Sequence, residues 1–278
     1  MVGCKSLDPS ATDPPVPPFG LSKSPNACDH LVQAYTDDAF LASVVTQYLG
    51  QALAAGEGAV LVATPAHGDA ITTGFRAGGV DVDAAIAAGR LLILDADLTL
   101  GRFMRDGLPD RAAFFEAIGG ALAQVQASGC PKIRVFGEMV DLLWPTNLEG
   151  TLRLEALWNE LLTTGAISLL CAYRFAPFDR NVQGILHHVS RCHSRLMPEE
   201  DATNFENAVD RAYDEIFGAH GGGRELREEL VSRHASPAMS RGQAALFAIR
   251  ELSPALAAQV VERARHYYTR GSFPTRQP

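Results

Sequence analysis

Five short apolar runs recur along the chain, separated by stretches whose apolar residues return every three or four positions. The first run, His30-Leu31-Val32-Gln33-Ala34-Tyr35, predicts a strand. Asp37 or Asp38 then caps a helix whose Phe40, Leu41, Val44, Val45, Tyr48, Leu49 and Leu53 share one face, and Gly56 and Gly58 stop it. Residues 59–64 are continuously apolar with Pro65 behind them, the pattern of a strand buried on both faces. A helix over 68–77, a short Ala-rich helix ended by Gly89 and a strand over 91–96 follow. Asp110 opens a helix through Phe114, Ile118, Leu122 and Val125; residues 133–138 form the fourth strand, 149–162 a helix and 167–173 the fifth strand.

Strand alternating with helix predicts an α/β fold, a parallel sheet flanked by helices, because parallel strands need crossover connections. Ligands of such sheets sit at the carboxyl ends of the strands, so the residues just after each apolar run are the ones to weigh. Three parts are expected: a Pro- and Ser-rich, disordered leader over 1–28, the α/β domain over 29–218, and a short helical C-terminal extension over 219–278. Gly221-Gly222-Gly223 reads as a hinge, with helices over 225–231 and 242–268 beyond it.

The 278 residues suffice for one large α/β domain with attachments, and 47% apolar residues with a mean hydropathy of +0.01 mark an ordinary globular chain. The net charge of −8 argues against a surface built as a whole to neutralise phosphates. Nine Arg against five acidic residues leave 221–278 at +4, so nucleic acid is conceivable only through this basic tail, where Arg263, Arg265, His266, Tyr267, Tyr268 and Arg270 lie close together without a recognisable reading motif. Five scattered cysteines without a Cys-x-x-Cys pair suit reduced thiols. With neither a signal peptide nor a spanning run in the sequence, a soluble cytoplasmic protein with no membrane association is expected.

The junction after the first strand, Tyr35-Thr36-Asp37-Asp38-Ala39-Phe40, has neither glycine nor lysine, where a nucleotide-binding α/β domain would wrap phosphates in a Gly-rich loop. Lys5, Lys23 and Lys132 are the only lysines, and none follows a glycine. Two carboxylates at a helix N-terminus favour the helix dipole and repel a triphosphate. Sensing or binding is therefore expected ahead of catalysis. No Gly-x-Ser-x-Gly elbow supports an enzyme either.

Several segments in order resemble the MEDS sensory domain, named for methanogens, methylotrophs and the dichloromethane-responsive repressor. They are 30–38, Gly56-Glu57-Gly58, Val80-Asp81-Val82-Asp83-Ala84-Ala85 leading into Gly89-Arg90-Leu91, Gly137-Glu138-Met139 and Leu170-Cys171-Ala172-Tyr173. The resemblance spans about 29–217. It implies a RecA- or KaiC-like domain with a degenerate phosphate loop, sensing small molecules, often hydrocarbon or one-carbon derivatives, in bacterial and archaeal signalling. The family commonly carries a DNA-binding or kinase-like output; no such output is readable here.

At the strand ends, Glu138 would line a ligand pocket or be a structural carboxylate satisfied by backbone donors. In RecA-like enzymes an acidic group there lies near Mg²⁺. Gly137 would allow close approach, and Met139 and Trp144 would add an adaptable apolar lining. Tyr173 and Arg174 are expected in the same crevice, Arg174 pairing with Glu138 or gripping an anionic ligand. Tyr35, Thr64 and Asp95 complete the rim, with turn capping as the alternative role. His188 and Cys192, four apart on a helix, would supply at most two ligands of a zinc site, so no metal is expected, and no cofactor is readable. The expected function is a cytoplasmic small-molecule sensor of a bacterial regulator, modulating a protein partner, self-association or transcription. The alternatives are a divergent nucleotide-binding ATPase and an interaction module with a vestigial pocket.

Overall fold

The computed structural model describes residues 25–175, 178, 189, 191–197, 201–218, 222–234 and 239–270. Strands β1 (His30–Tyr35), β2 (Gly58–Ala63), β3 (Leu91–Asp95), β6 (Ile133–Gly137), β7 (Ile167–Arg174) and β8 (Arg195–Leu196) form a parallel sheet in the order β3-β2-β6-β7-β1-β8. Each of the five predicted strands is present within a residue or so of its expected bounds. Every residue of β1, β2 and β6 is buried, as continuous apolar runs require, whereas β3 is half exposed at the sheet edge. The two-residue β8 on the other edge has too short a pattern to be read from sequence; it pairs Leu31 with Arg195 and Val32 with Leu196.

Helices α1 (Asp38–Ala54), α2 (Pro65–Ala77) and α3 (Val82–Ala87) cover one face of the sheet. The seven apolar positions read on α1 are all buried there, against Leu31, Leu61, Phe136 and Leu170 of the strands. Asp37 caps α1, its carboxylate accepting from Phe40 N–H at 2.8 Å. Helix α2 begins at Pro65 rather than at 68, because proline suits the first helical position.

The other face is covered by α4 (Ala96–Phe103), α5 (Arg111–Phe114), α6 (Gly120–Gln126), α7 (Met139–Leu143) and α8 (Leu148–Leu162). Between α5 and α6, residues Phe115–Gly119 wind as a π-helix, so the single helix expected after Asp110 carries an inserted wide turn. Strands β4 (Met104–Arg105) and β5 (Leu108–Pro109) form a hairpin whose turn residues, Asp106 and Gly107, have φ of 49° and 80°; this Asp-Gly pair is a turn signal.

A third apolar cluster joins α9 (Ala202–Phe217), α10 (Gly222–His234), α11 (Arg241–Leu252) and α12 (Pro254–Arg270), with Phe178. Gly222 and Gly223 lie inside α10 rather than in a hinge, and a side chain on Gly223 would stand 2.6 Å from the Tyr213 carbonyl oxygen. The helix expected over 242–268 is two helices, because Ser253 before Pro254 is held extended and ends α11. The Pro-rich part of the leader lies outside the described residues.

Candidate functional site

The carboxyl ends of β1, β2, β6 and β7 converge on a polar network. Glu138, directly after β6, is 1% exposed. One of its carboxylate oxygens accepts from Thr64 N–H at the end of β2, and the other meets His67 Nδ1 at 2.5 Å. His67, in the first turn of α2, reaches Asp38 Oδ1 with Nε2 at 3.2 Å. Asp38 also accepts from the Arg174 guanidinium, which donates to Thr36 O at 3.2 Å and lies 4.8 Å over the Tyr35 ring. Because Asp37 does the capping of α1, Asp38 keeps its carboxylate for these two cations.

A second branch centres on Asp141 of α7. Its Oδ2 accepts from Tyr35 OH at 2.8 Å; its Oδ1 accepts from Arg174 N–H at 2.6 Å and Trp144 Nε1–H at 3.1 Å. Burial pushes the Asp141 carboxyl up, and the hydrogen bonds from Arg174, Tyr35 and Trp144 oppose it. Burial, reinforced by Asp141, also raises the Tyr35 phenol well above its ordinary value. The network therefore joins four strand ends through α1, α2 and α7.

Carboxylates only accept, so an imidazole between Glu138 and Asp38 makes both contacts when doubly protonated. The hydrogen bond to Glu138 accordingly raises the His67 pKa against the opposing effect of burial. A histidine pKa raised in the folded state adds stability that is full below the unfolded value of about 6.5 and fades as pH climbs through the folded pKa. His67→Gln should therefore be most destabilising relative to wild type near pH 5.5 to 6, with the gap closing above 6.5. Urea midpoints of both proteins across that range test this; a gap that widens with pH would contradict it.

Of the residues singled out in the sequence, Tyr35, Thr64, Glu138, Trp144 and Arg174 are brought into this network. Arg174 pairs with Asp38 rather than with Glu138, whose oxygens are already taken. Tyr173 is directed elsewhere: neighbouring strand residues face opposite ways, and its hydroxyl donates to the buried Glu155 on α8. Asp95 caps α4, accepting from Leu98 N–H at 2.8 Å. Met139 is 1% exposed in the core that α8 covers. The open side of Gly137 is filled by the Trp158 ring, 3.7 Å from where a Cβ would stand. His188 lies outside the described residues, and the half-buried Cys192 thiol is pushed up to about 11, chiefly by burial.

Sequence reasoning missed His67 and Asp141 and took Asp38 only as a cap. His67 follows the second apolar run by three residues, so the rule of inspecting strand ends would have found it had α2 been started at Pro65. Two clefts lie away from this network. One, of about 490 Å³, is bordered by Leu94, Arg102, Arg105 and Glu116 beside the π-helix; the other, of about 330 Å³, by Glu206, Asp210, Arg227 and Arg241 among the C-terminal helices.

The chain matches the MEDS family, described as the methanogen/methylotroph, DcmR sensory domain, over residues 29–194, which is more than half its length. It belongs to the MEDS family. The matched segment contains the whole strand-end network and the sheet from β1 through β7, and the architecture is the RecA-like α/β fold that the resemblance implied. MEDS is a sensory domain family, which fits a sensory role for this member. No curated protein matches the chain. Among the described residues, no helix is long and apolar enough to cross a membrane.

Proposed function

We infer that this MEDS protein is a cytoplasmic small-molecule sensor whose ligand engages the polar network at the strand ends and so biases contact with a protein partner. The observation that carries this reading is the chain of contacts Thr64–Glu138–His67–Asp38–Arg174, which ties four separate elements together through a buried carboxylate and an exposed ion pair. The Arg174–Asp38 pair is 46% and 61% exposed, so opening it costs little in solvent, about 0 to 1 kcal/mol. A ligand that takes over either partner shifts the balance between two arrangements of α1, α2 and α7 by its difference in affinity for them.

The charge of the network constrains the ligand. Asp38, Glu138 and Asp141 stand against Arg174 and His67, so a polyanionic nucleotide meets repulsion, whereas a small hydrogen-bond donor or a neutral one-carbon or short-chain derivative does not. On the output side, the arginines of the C-terminal helices are largely committed. Arg227 pairs with Glu206 and Asp210, Arg241 with Glu228, Arg263 with Glu215, and Arg265 donates to Phe178 O. This pairing supports a protein partner or self-association over nucleic acid, and any effect on transcription would run through that partner.

The test is a thermal-shift panel of one-carbon and short-chain hydrocarbon derivatives on the full chain. A ligand present at 100 times its Kd adds about 2.7 kcal/mol, a readily measured rise in Tm. At least one compound should raise the wild-type Tm, and Glu138→Gln and Arg174→Gln should abolish the rise. A panel without effect, or a shift that survives both substitutions, would count against a strand-end ligand site.

A further inference from the structure

A second constellation lies on the α8 face of the sheet and plays no part in the strand-end network. His30 opens β1, Cys171 is within β7, Glu155 is on α8, and His193 precedes β8. All four are buried, and one ligand-type atom from each lies within 4.8 Å of all the others. His30 Nε2 is 3.3 Å from both Cys171 Sγ and Glu155 Oε2, and His193 Nε2 is 3.4 Å from Glu155 Oε1. Ligands about 2.0 to 2.3 Å from a tetrahedral Zn²⁺ stand about 3.3 to 3.6 Å from one another.

The hydrogen-bond pattern fixes which imidazole nitrogens are free. Asn159 Nδ2 donates to Cys192 O at 3.0 Å, which orients its amide so that Oδ1 accepts from His30 Nδ1–H at 3.0 Å. His193 Nδ1–H donates to Val189 O at 2.7 Å. Both rings therefore turn an unprotonated Nε2 toward the carboxylate. Two lone pairs facing a carboxylate are mutually repulsive, and His193 Nε2 and Glu155 Oε2 are buried with no hydrogen-bond partner among the described residues. A proton on Glu155 and the Cys171 S–H could each donate to one imidazole, but neither engages all four groups. A cation at the centre satisfies all of them at once.

We propose that His30, Glu155, Cys171 and His193 form a closed, four-coordinate site for a divalent transition metal of the zinc class. Two nitrogens, a thiolate and a carboxylate are a borderline-soft donor set suited to Zn²⁺, and Co²⁺ can replace it as a spectroscopic probe. Asn159 and the Val189 carbonyl hold the outer nitrogens, as the second shell of a metal site does. With four protein ligands and no exposed edge, the ion would serve as a staple. It would fasten the segment carrying His193, Ser194 and β8 to β1, alongside the Ser194 N–H bond to His30 O at 2.7 Å. Such a role stands whether or not the strand ends bind a ligand.

The test is to produce the full chain in minimal medium supplemented with Co²⁺, so that the site fills during folding. The expected product holds roughly one Co²⁺ per chain, with intense visible bands of four-coordinate cobalt and a thiolate-to-metal charge-transfer band in the near ultraviolet. Cys171→Ser should lose the charge-transfer band and Cys192→Ser should keep it, while Asn159→Ala should weaken retention against a chelator by about tenfold or more. Wild-type protein without bound cobalt, or with cobalt lacking the thiolate band, overturns the proposal. So does a band that persists in Cys171→Ser. The wild-type spectrum decides the matter even where a variant fails to fold.

Discussion

Trp158→Ala should lower the stability of the protein by about 3 to 5 kcal/mol, the range for emptying a buried large aromatic site. Trp158 is 1% exposed on α8, packs edge-on against Phe114 with ring centroids 5.3 Å apart, and fills the space over Gly137. The unfolding midpoint in urea is the direct measure, and a drop of about 10 °C in Tm is expected for a domain of this size. A loss below about 1 kcal/mol would mean that α8 is held to the sheet by something other than this ring. The same substitution should loosen Glu155 and Asn159, which share the helix with Trp158, so retention of any bound cobalt should fall with stability.

Glu57→Ala should cost about 3 kcal/mol, because it strands a buried guanidinium. Arg134 lies within β6 at 2% exposure. Its Nε donates to Glu57 Oε2 at 2.8 Å, its Nη1 donates to Tyr48 O at 3.0 Å, and the group lies 5.6 Å from the Tyr48 ring centre. Removing the carboxylate leaves a desolvated cation whose remaining acceptor is a single carbonyl. Replacing both partners, as in Glu57→Ala with Arg134→Leu, should recover most of the loss, since an apolar pair escapes the desolvation penalty. Chemical denaturation of the two variants separates the cases: equal losses would show that the pair itself, and not the unpaired charge, sets the cost. The contrast with the Arg174–Asp38 pair is useful. One ion pair is buried and fixes the sheet; the other is exposed and can open without endangering the fold.

Much of the architecture was legible because its strands are buried on both faces. Runs such as Ala59-Val60-Leu61-Val62 admit little but a central parallel strand, and the caps Asp37 and Asp110 stand where a helix must satisfy its free N–H groups. What escaped lacks a repeating pattern. Strand β8 has two residues, the π-turn at Phe115–Gly119 leaves the apolar spacing almost unchanged, and the break at Ser253-Pro254 sits inside an otherwise helical text. In the network, Glu138, Arg174, Tyr35 and Thr64 were found because they end strands, but the pairing of Asp38, His67 and Asp141 with them was not. Pairing depends on how α1, α2 and α7 converge, and no spacing in the sequence records that Asp38, His67 and Asp141 come from 38, 67 and 141 to one place. The buried cluster was hidden for a related reason: its four side chains come from four elements spread over more than 160 residues.

The carboxylates at the start of α1 also bear on what this protein would report inside a cell. A RecA-like sheet that keeps its phosphate loop is tied to the balance of ATP and ADP, because those nucleotides are the abundant occupants of such a loop. Here Asp37 caps α1 and Asp38 stands beside it in an exposed pair with Arg174, so the position presents carboxylates where a triphosphate would bring more negative charge. For the small ligand proposed above, a nucleotide pool competing for the same strand ends would be a problem of background, and a site that repels triphosphates would avoid it. The signal of such a domain would follow its chemical environment and stay independent of the metabolic energy state of its host.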